Sequence, residues 1–139
     1  MKINIVENKI LELVLQETED PVLDTGSKSS KAKSKFSLEV DFEEKNFYIT
    51  FHIKIATIDN VSITLTHKST FETGDVISEG FKETHFPYVN APAIAYPYVR
   101  TFVSNLTLNS GYSPVMLPSV NFAALYEKRK KAESQSEAD

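Results

Sequence analysis

Residues 92–131, PAIAYPYVRTFVSNLTLNSGYSPVMLPSVNFAALYEKRKK, read as two helices separated by a proline-punctuated loop. Pro92 fits the first turn of a helix, where its missing N–H has no partner to lose. From there Ile94, Tyr98, Phe102 and Leu106 recur at helical spacing, with Val99 and Val103 beside them. The resulting apolar band is too wide for a helix covered on one side only. Pro97, inside the pattern, predicts a kink or a slightly later true start. Gly111 is the expected stop, and Pro114 and Pro118 hold the chain extended beyond it. Asn121 can cap a second, shorter helix carrying Phe122, Leu125 and Tyr126. Its expected end is Lys128-Arg129-Lys130-Lys131, cations suited to the negative end of a helix dipole.

Upstream the periodicity changes from helical to alternating. Leu11, Leu13 and Leu15 share one face of a strand within Ile3–Gln16, with Glu12, Val14 and Gln16 on the other. Phe36, Leu38, Val40 and Phe42 alternate next, then Phe47, Ile49, Phe51, Ile53 and Ile55, then Val61, Ile63 and Leu65 running on toward Phe71. Turns are expected at Glu43–Asn46 and Ile58–Asn60. These runs make an antiparallel meander with one apolar face, and the only apolar elements left to cover that face are the two helices. The expected fold class is therefore α+β, with helices packed on one side of the sheet. Between Glu17 and Lys35 the chain is polar and breaker-rich, which predicts a mobile loop, and its Lys28, Lys31, Lys33 and Lys35 read as solvated rather than as a binding patch.

At 139 residues, with 41% hydrophobic and 24% charged residues, the chain predicts one domain over residues 1–131 and a short disordered acidic tail over 132–139. A net charge of −4 and the lack of a basic stripe argue against a nucleic-acid partner, and zero Cys excludes disulfides and thiolate metal sites. No long apolar run follows Met1-Lys2 or occurs elsewhere, which predicts a cytoplasmic protein with no membrane insertion.

The motifs Tyr96-Pro97-Tyr98-Val99-Arg100, Gly111-Tyr112-Ser113-Pro114 and Leu117-Pro118-Ser119-Val120-Asn121-Phe122-Ala123-Ala124-Leu125-Tyr126, in this order and spacing, resemble the SecB family of protein-export chaperones. Departures from the family pattern are Val99 for Ala, Ser119 for Pro and Ala123 for an acid. The resemblance implies a four-stranded antiparallel sheet, a crossover at Thr73–Asn90, a long helix and a short one. It also implies a homo-oligomer built as a dimer of dimers through the long helices. With the wide apolar band, this places Val99, Phe102, Val103 and Leu106 at an oligomer interface. The alternative is that the loop after Gly111 folds back and covers the second side of the long helix.

Catalytic chemistry finds no support. His52, His67 and His85 share no ligand spacing, and nucleophile motifs and phosphate-cradling loops are missing from a chain with 4 Gly. We therefore expect no enzyme activity, no metal and no cofactor. Aromatics are the more informative class, with 9 Phe and 6 Tyr. They give large contact area at small entropic cost, which suits a groove that holds many apolar segments. Phe71, Phe81, Phe86, Tyr88, Tyr98, Tyr112, Phe122 and Tyr126 fall outside the strict strand pattern and form the candidate client-binding set. The resemblance carries Phe71, Tyr98 and Phe122 over to family positions; the alternative for these three is an ordinary core joint. The implied function is an ATP-independent holdase for unfolded polypeptides, keeping preproteins export-competent. SecA is the partner the family implies, docking on acidic residues of the sheet's polar face. Ser62, Thr64 and Thr66 supply none here. This keeps open a chaperone dedicated to an antitoxin, or a non-catalytic scaffold subunit.

Overall fold

Period-2 alternation yields four strands, and their outer neighbours are set by hydrogen bonding rather than by sequence order. The structure, a computed structural model, describes residues 2–18 and 32–138, with side chains to residue 134. Strands β1 (Asn4–Glu17), β2 (Lys33–Phe42), β3 (Asn46–Ala56) and β4 (Val61–Glu72) form one antiparallel sheet in the order β1-β4-β3-β2. A short helix α1 (Glu79–Lys82) and a π-helical turn (Phe86–Asn90) lead into α2 (Ala91–Asn109), and α3 (Phe122–Ala138) follows a loop. This is the α+β order expected from the sequence.

The inner face of the two central strands is the core. Phe47, Ile49, Phe51 and Ile55 of β3 face Phe71, Ile63 and Leu65 of β4, all essentially without solvent contact. Each such burial stabilises by about 1.5–3 kcal/mol. Phe47 stacks on its cross-strand partner Phe71 at 5.0 Å and 8°, closing the end of the sheet. Asn60 adopts φ 58° in the β3–β4 turn, a conformation Asn tolerates, while the Thr57 hydroxyl accepts from the Asp59 and Val61 amides.

Several boundaries differ from the sequence reading. β2 begins at Lys33, so Lys33 and Lys35 belong to a strand; Lys28, Lys31 and the rest of residues 19–31 lie outside the described residues. β1 carries two bulges, at Val6 and Leu11, where two residues oppose one of β4. Leu13 and Leu15 keep the inner face, opposite Leu65 and Ile63, but Leu11 is displaced and exposed. α3 does not stop at Lys131. It continues to Ala138, favoured by helix-forming residues and an Arg129–Glu133 ion pair at 3.6 Å, so residues 132–138 are helical. Pro97 lies inside α2 without ending it; both Pro97 and Ala93, whose carbonyl it cannot serve, are exposed, so water can take the freed acceptor.

α2 presents three flanks. Ala91, Ala95, Val99 and Val103 are fully buried and join the core formed with the sheet. A second flank is taken by the loop after Gly111, which folds back antiparallel to the helix. Thr107 Oγ1 accepts from the Val115 amide at 2.9 Å, Arg100 Nε donates to the Leu117 carbonyl at 3.0 Å, and the Tyr96 hydroxyl donates to the Pro118 carbonyl at 2.7 Å. The third flank, with Ile94, Tyr98 and Thr101, stays open, and Phe102 and Leu106 border it half-buried.

Candidate functional site: an aromatic belt between an edge strand and the last helix

β2 pairs only with β3, so among the described residues its other edge is free. Its inner side chains, Phe36, Leu38, Val40 and Phe42, are only half-buried because α2 lies over the central strands rather than over this edge. α3 and the π turn approach the same edge and supply aromatic rings at both ends.

At one end Phe122 opens α3, whose first turn is fixed by the Asn121 side chain accepting from the Ala124 amide at 2.9 Å. Its ring meets Phe36 at 6.2 Å, Tyr96 at 5.6 Å and Phe51 at 6.2 Å. At 4% exposure it is an anchor of the fold. At the other end Tyr126, one turn further along α3, stacks on Tyr88 of the π turn at 5.3 Å and 5°. Tyr88 in turn meets Phe42 edge-on at 6.5 Å. Burial raises the Tyr88 hydroxyl pKa, so the ring presents a neutral phenol. Between the ends, Leu38, Val40 and Val89 are half-buried and Leu125 is exposed. The arrangement offers an apolar, aromatic-lined strip beside an unpaired strand edge.

The candidate residues divide on this geometry. Phe122, Tyr126 and Tyr88 lie on the belt. Phe71 is 1% exposed and belongs to the core behind it. Phe81 and Phe86 are not free on a loop: α1, capped by Ser78, and the π turn pack them at 5.7 and 6.4 Å from the Phe47 ring, half-buried. Tyr98, 47% exposed, sits on the open flank of α2. Tyr112 is away from the belt, its hydroxyl donating to Glu17 of β1 at 3.1 Å. Of the residues expected at an oligomer interface, Val99 and Val103 are sealed under this chain's own sheet, while Phe102 and Leu106 border the open flank. The sequence reading missed Phe36 and Phe42, whose half-exposure follows from β2 being an edge strand.

The histidines do not converge. His52 lies on the outer face of β3, near Glu39 at 3.5 Å and Thr66 at 3.4 Å. His67 is not near a strand end but mid-β4 on the inner face, 2% exposed, and burial lowers its pKa. His85 packs edge-on against Tyr126 at 5.2 Å. Among the described residues no group of His, Asp and Glu is placed to hold a metal ion, and no helix is long and apolar enough to cross a membrane.

A family model described as preprotein translocase subunit SecB matches residues 6–133. The protein-export protein SecB of Magnetococcus marinus is 31% identical over 124 residues, which cover 80% of this chain and 76% of that protein. Similarity to the protein-export protein SecB of Anaplasma phagocytophilum is higher but local: 42% over 41 residues, 30% of this chain and 26% of that protein. Among solved structures, a SecB-like chaperone of Mycobacterium tuberculosis in complex with a peptide from an antitoxin superposes with a TM-score of 0.59 at 20% identity, covering 85% of this chain and 87% of that one. At that identity the likeness speaks for the fold.

Proposed function

The chain belongs to the SecB family, and from that premise we propose that it is an ATP-independent holdase whose clients lie along the aromatic belt. The observation that carries this reading is the half-open strip between β2 and α3, where Phe36, Phe42, Tyr88 and Tyr126 offer rings beside a strand edge that is free among the described residues. A client segment adds to that edge through its backbone, and its alternate side chains bury against the rings. Backbone pairing is blind to sequence, and flat rings accept many apolar shapes, so the strip suits unfolded polypeptides better than one folded partner. The family's proteins are chaperones rather than enzymes. Aggregation assays test the reading: the protein should suppress aggregation of several unrelated unfolded proteins without nucleotide. Suppression of none would leave a scaffold role.

A homo-oligomer is part of this proposal. The open flank of α2, with Ile94, Tyr98 and half-buried Phe102, is the surface that would face a second copy. The folded-back loop, which the sequence left open as the alternative to this interface, covers another flank of α2 and leaves this one uncovered. Light scattering at micromolar concentration should return a tetramer.

The antitoxin-dedicated reading is favoured by the outer face of the sheet. There Thr64 of β4 stands opposite Lys54 and Val14 and Thr66 opposite His52 and Glu12, Lys35 faces Lys54 and Lys9 faces Lys68, and Glu7, Glu39 and Asp41 share the face. Acids and cross-strand lysine pairs alternate over this face, so it offers no continuous acidic surface, and weak SecA binding is expected. The solved SecB-like neighbour was captured with an antitoxin peptide, which fits this branch. Titration against SecA and against an antitoxin peptide separates the two: tight, salt-sensitive SecA binding would restore the export role.

A further inference from the structure

β2 ends the sheet on one side, and its outer face carries an ordered set of charges. The residues there run Lys33, Lys35, Ser37, Glu39 and Asp41: two cations, a hydroxyl, then two carboxylates. All but the half-buried Lys33 are exposed. Lys33, Lys35 and Asp41 enter no ion pair among the described residues, and Lys35 stands opposite another cation, Lys54. Glu39 lies 3.5 Å from His52. On the inner face of the same strand Phe36, Leu38, Val40 and Phe42 are half-buried.

The backbone at this edge is prepared in the same register. The Glu43 amide donates to the carbonyl of Asn46, directly opposite it, at 2.8 Å. From there hydrogen-bonded and non-hydrogen-bonded pairs alternate, and the β2–β3 ladder has no register shift. The N–H and C=O groups of Ser34, Phe36, Leu38, Val40 and Phe42 therefore point to the outer edge, which is free among the described residues. Bulges and rows of like charge guard an edge against pairing. β1, at the other side of the sheet, has two bulges; β2 has none, and its charges are of both signs.

We infer that this edge takes a second copy of the chain, β2 running antiparallel to β2 about Ser37. In that register Lys33 meets Asp41 and Lys35 meets Glu39 of the second copy, on both sides of the two-fold axis. These fall in the non-hydrogen-bonded pairs, where facing side chains stand closest. Phe36 comes to lie beside Leu38, and the edge N–H and C=O groups serve one another. A parallel pairing in register would set Lys against Lys and Glu against Glu. The contact is isologous and separate from the open flank of α2. Its consequence rests on the holdase reading: the second copy occupies the edge along which a client adds, so a client must displace it.

Cross-linking of the full chain tests it. The chain has no Cys, so Ser37→Cys places a single thiol on the axis, with Cα atoms about 4.5 Å apart and within disulfide reach. Mild oxidation at micromolar concentration should join Ser37→Cys at least about tenfold faster than Ser34→Cys, which is also exposed but is held off the axis opposite Val40 of the second copy. Adding Lys35→Glu should slow the joining about tenfold, and adding Glu39→Lys to that variant should restore it; high salt should shrink both effects. Equal rates for the two thiols, or no rescue by the charge swap, would overturn the inference and leave the holdase reading in place. The client step is read separately. Excess reduced, carboxymethylated lactalbumin should slow the cross-link, and the joined dimer should lose aggregation suppression that reduction returns. A joined dimer that protects as well as the reduced protein would take the β2 edge out of the holdase reading and leave the self-pairing standing.

Discussion

The two ends of the aromatic belt use the same residue type for different work. Around Phe122 four rings, Phe36, Phe51, Tyr96 and Phe122 itself, close on one another, and all but the half-buried Phe36 at the sheet edge are shut off from solvent. Around Tyr126 the rings stack on one side only and a hollow remains beside them. Phe122 and Tyr126 sit one helical turn apart on α3, so the difference comes from what the rest of the chain brings to each. The sheet and the folded-back loop enclose one end; the π turn, with His85 and the ring of Phe42 beside it, supports the other. An aromatic residue is therefore a structural joint or a contact surface according to how many elements reach it.

Substitutions can break that distinction or sharpen it. The largest effect is expected from Val103→Glu on the sheet-facing flank of α2, where an unpaired buried charge costs about 3–5 kcal/mol and should unfold the chain. Ile94→Glu, on the open flank, should leave the fold intact and split the oligomer. A melting curve and light scattering on both variants check the pair, and an unchanged tetramer in Ile94→Glu would move the interface elsewhere.

Phe122→Ala should cost about 3–5 kcal/mol in a denaturant titration, as deletion of a buried ring does. Tyr88→Ser with Tyr126→Ser should cost far less, since neither ring is fully buried, yet should strip most aggregation suppression. If the double variant melted like the parent and still protected clients, the open end of the belt would not be the site.

Changing Phe81 and Tyr88 together to Ser should give an intermediate result. Half-burial of Phe81 against Phe47 predicts a loss of about 1–2 kcal/mol, so melting temperature and holding should both fall. A variant with unaltered melting would mean that Phe81 is free after all.

The smallest effect is pH-linked. His67 is held below its usual pKa by burial, so the unfolded chain binds the proton more readily. Its contribution is complete above the ordinary histidine range and is lost as pH falls from there through the lowered folded value. Stability should therefore decline on mild acidification, and the slope should be smaller in His67→Gln. An unchanged slope would assign the dependence to other groups.

Much of this architecture is legible in the residues. Strict alternation gives β2, β3 and β4, and the proline and glycine pattern gives the division between α2 and α3. The crossover is not legible in the same way, because α1 and the π turn span only 4 and 5 residues, too few for a period to show. The bulges of β1 are invisible for a related reason: Leu11, Leu13 and Leu15 alternate correctly, and only pairing with β4 shows that Leu11 is the extra residue. At the site, Tyr88, Phe122 and Tyr126 stood out as surplus aromatics. Which of them would be enclosed depends on the loop hydrogen bonds from Tyr96, Arg100 and Thr107, and tertiary contacts of that kind leave no pattern in a single chain.

Those three loop contacts also carry a kinetic implication. They join residues 8, 17 and 22 positions apart, in order from Gly111 outward. Each closure shortens the loop that the next must close, so the segment can zip from its turn with small entropic steps. The Ser69–Asn8 bond that fastens β1 to β4 spans 61 positions, and even the nearest rung of that ladder, Glu17 opposite Val61, closes a longer loop than any of the three. A newly made chain thus has a fast, local way to seat α3 and a slow, distant one to complete its own sheet. For that interval the edge of β4 is itself an unpaired strand, open to the same kind of pairing the mature protein offers to others.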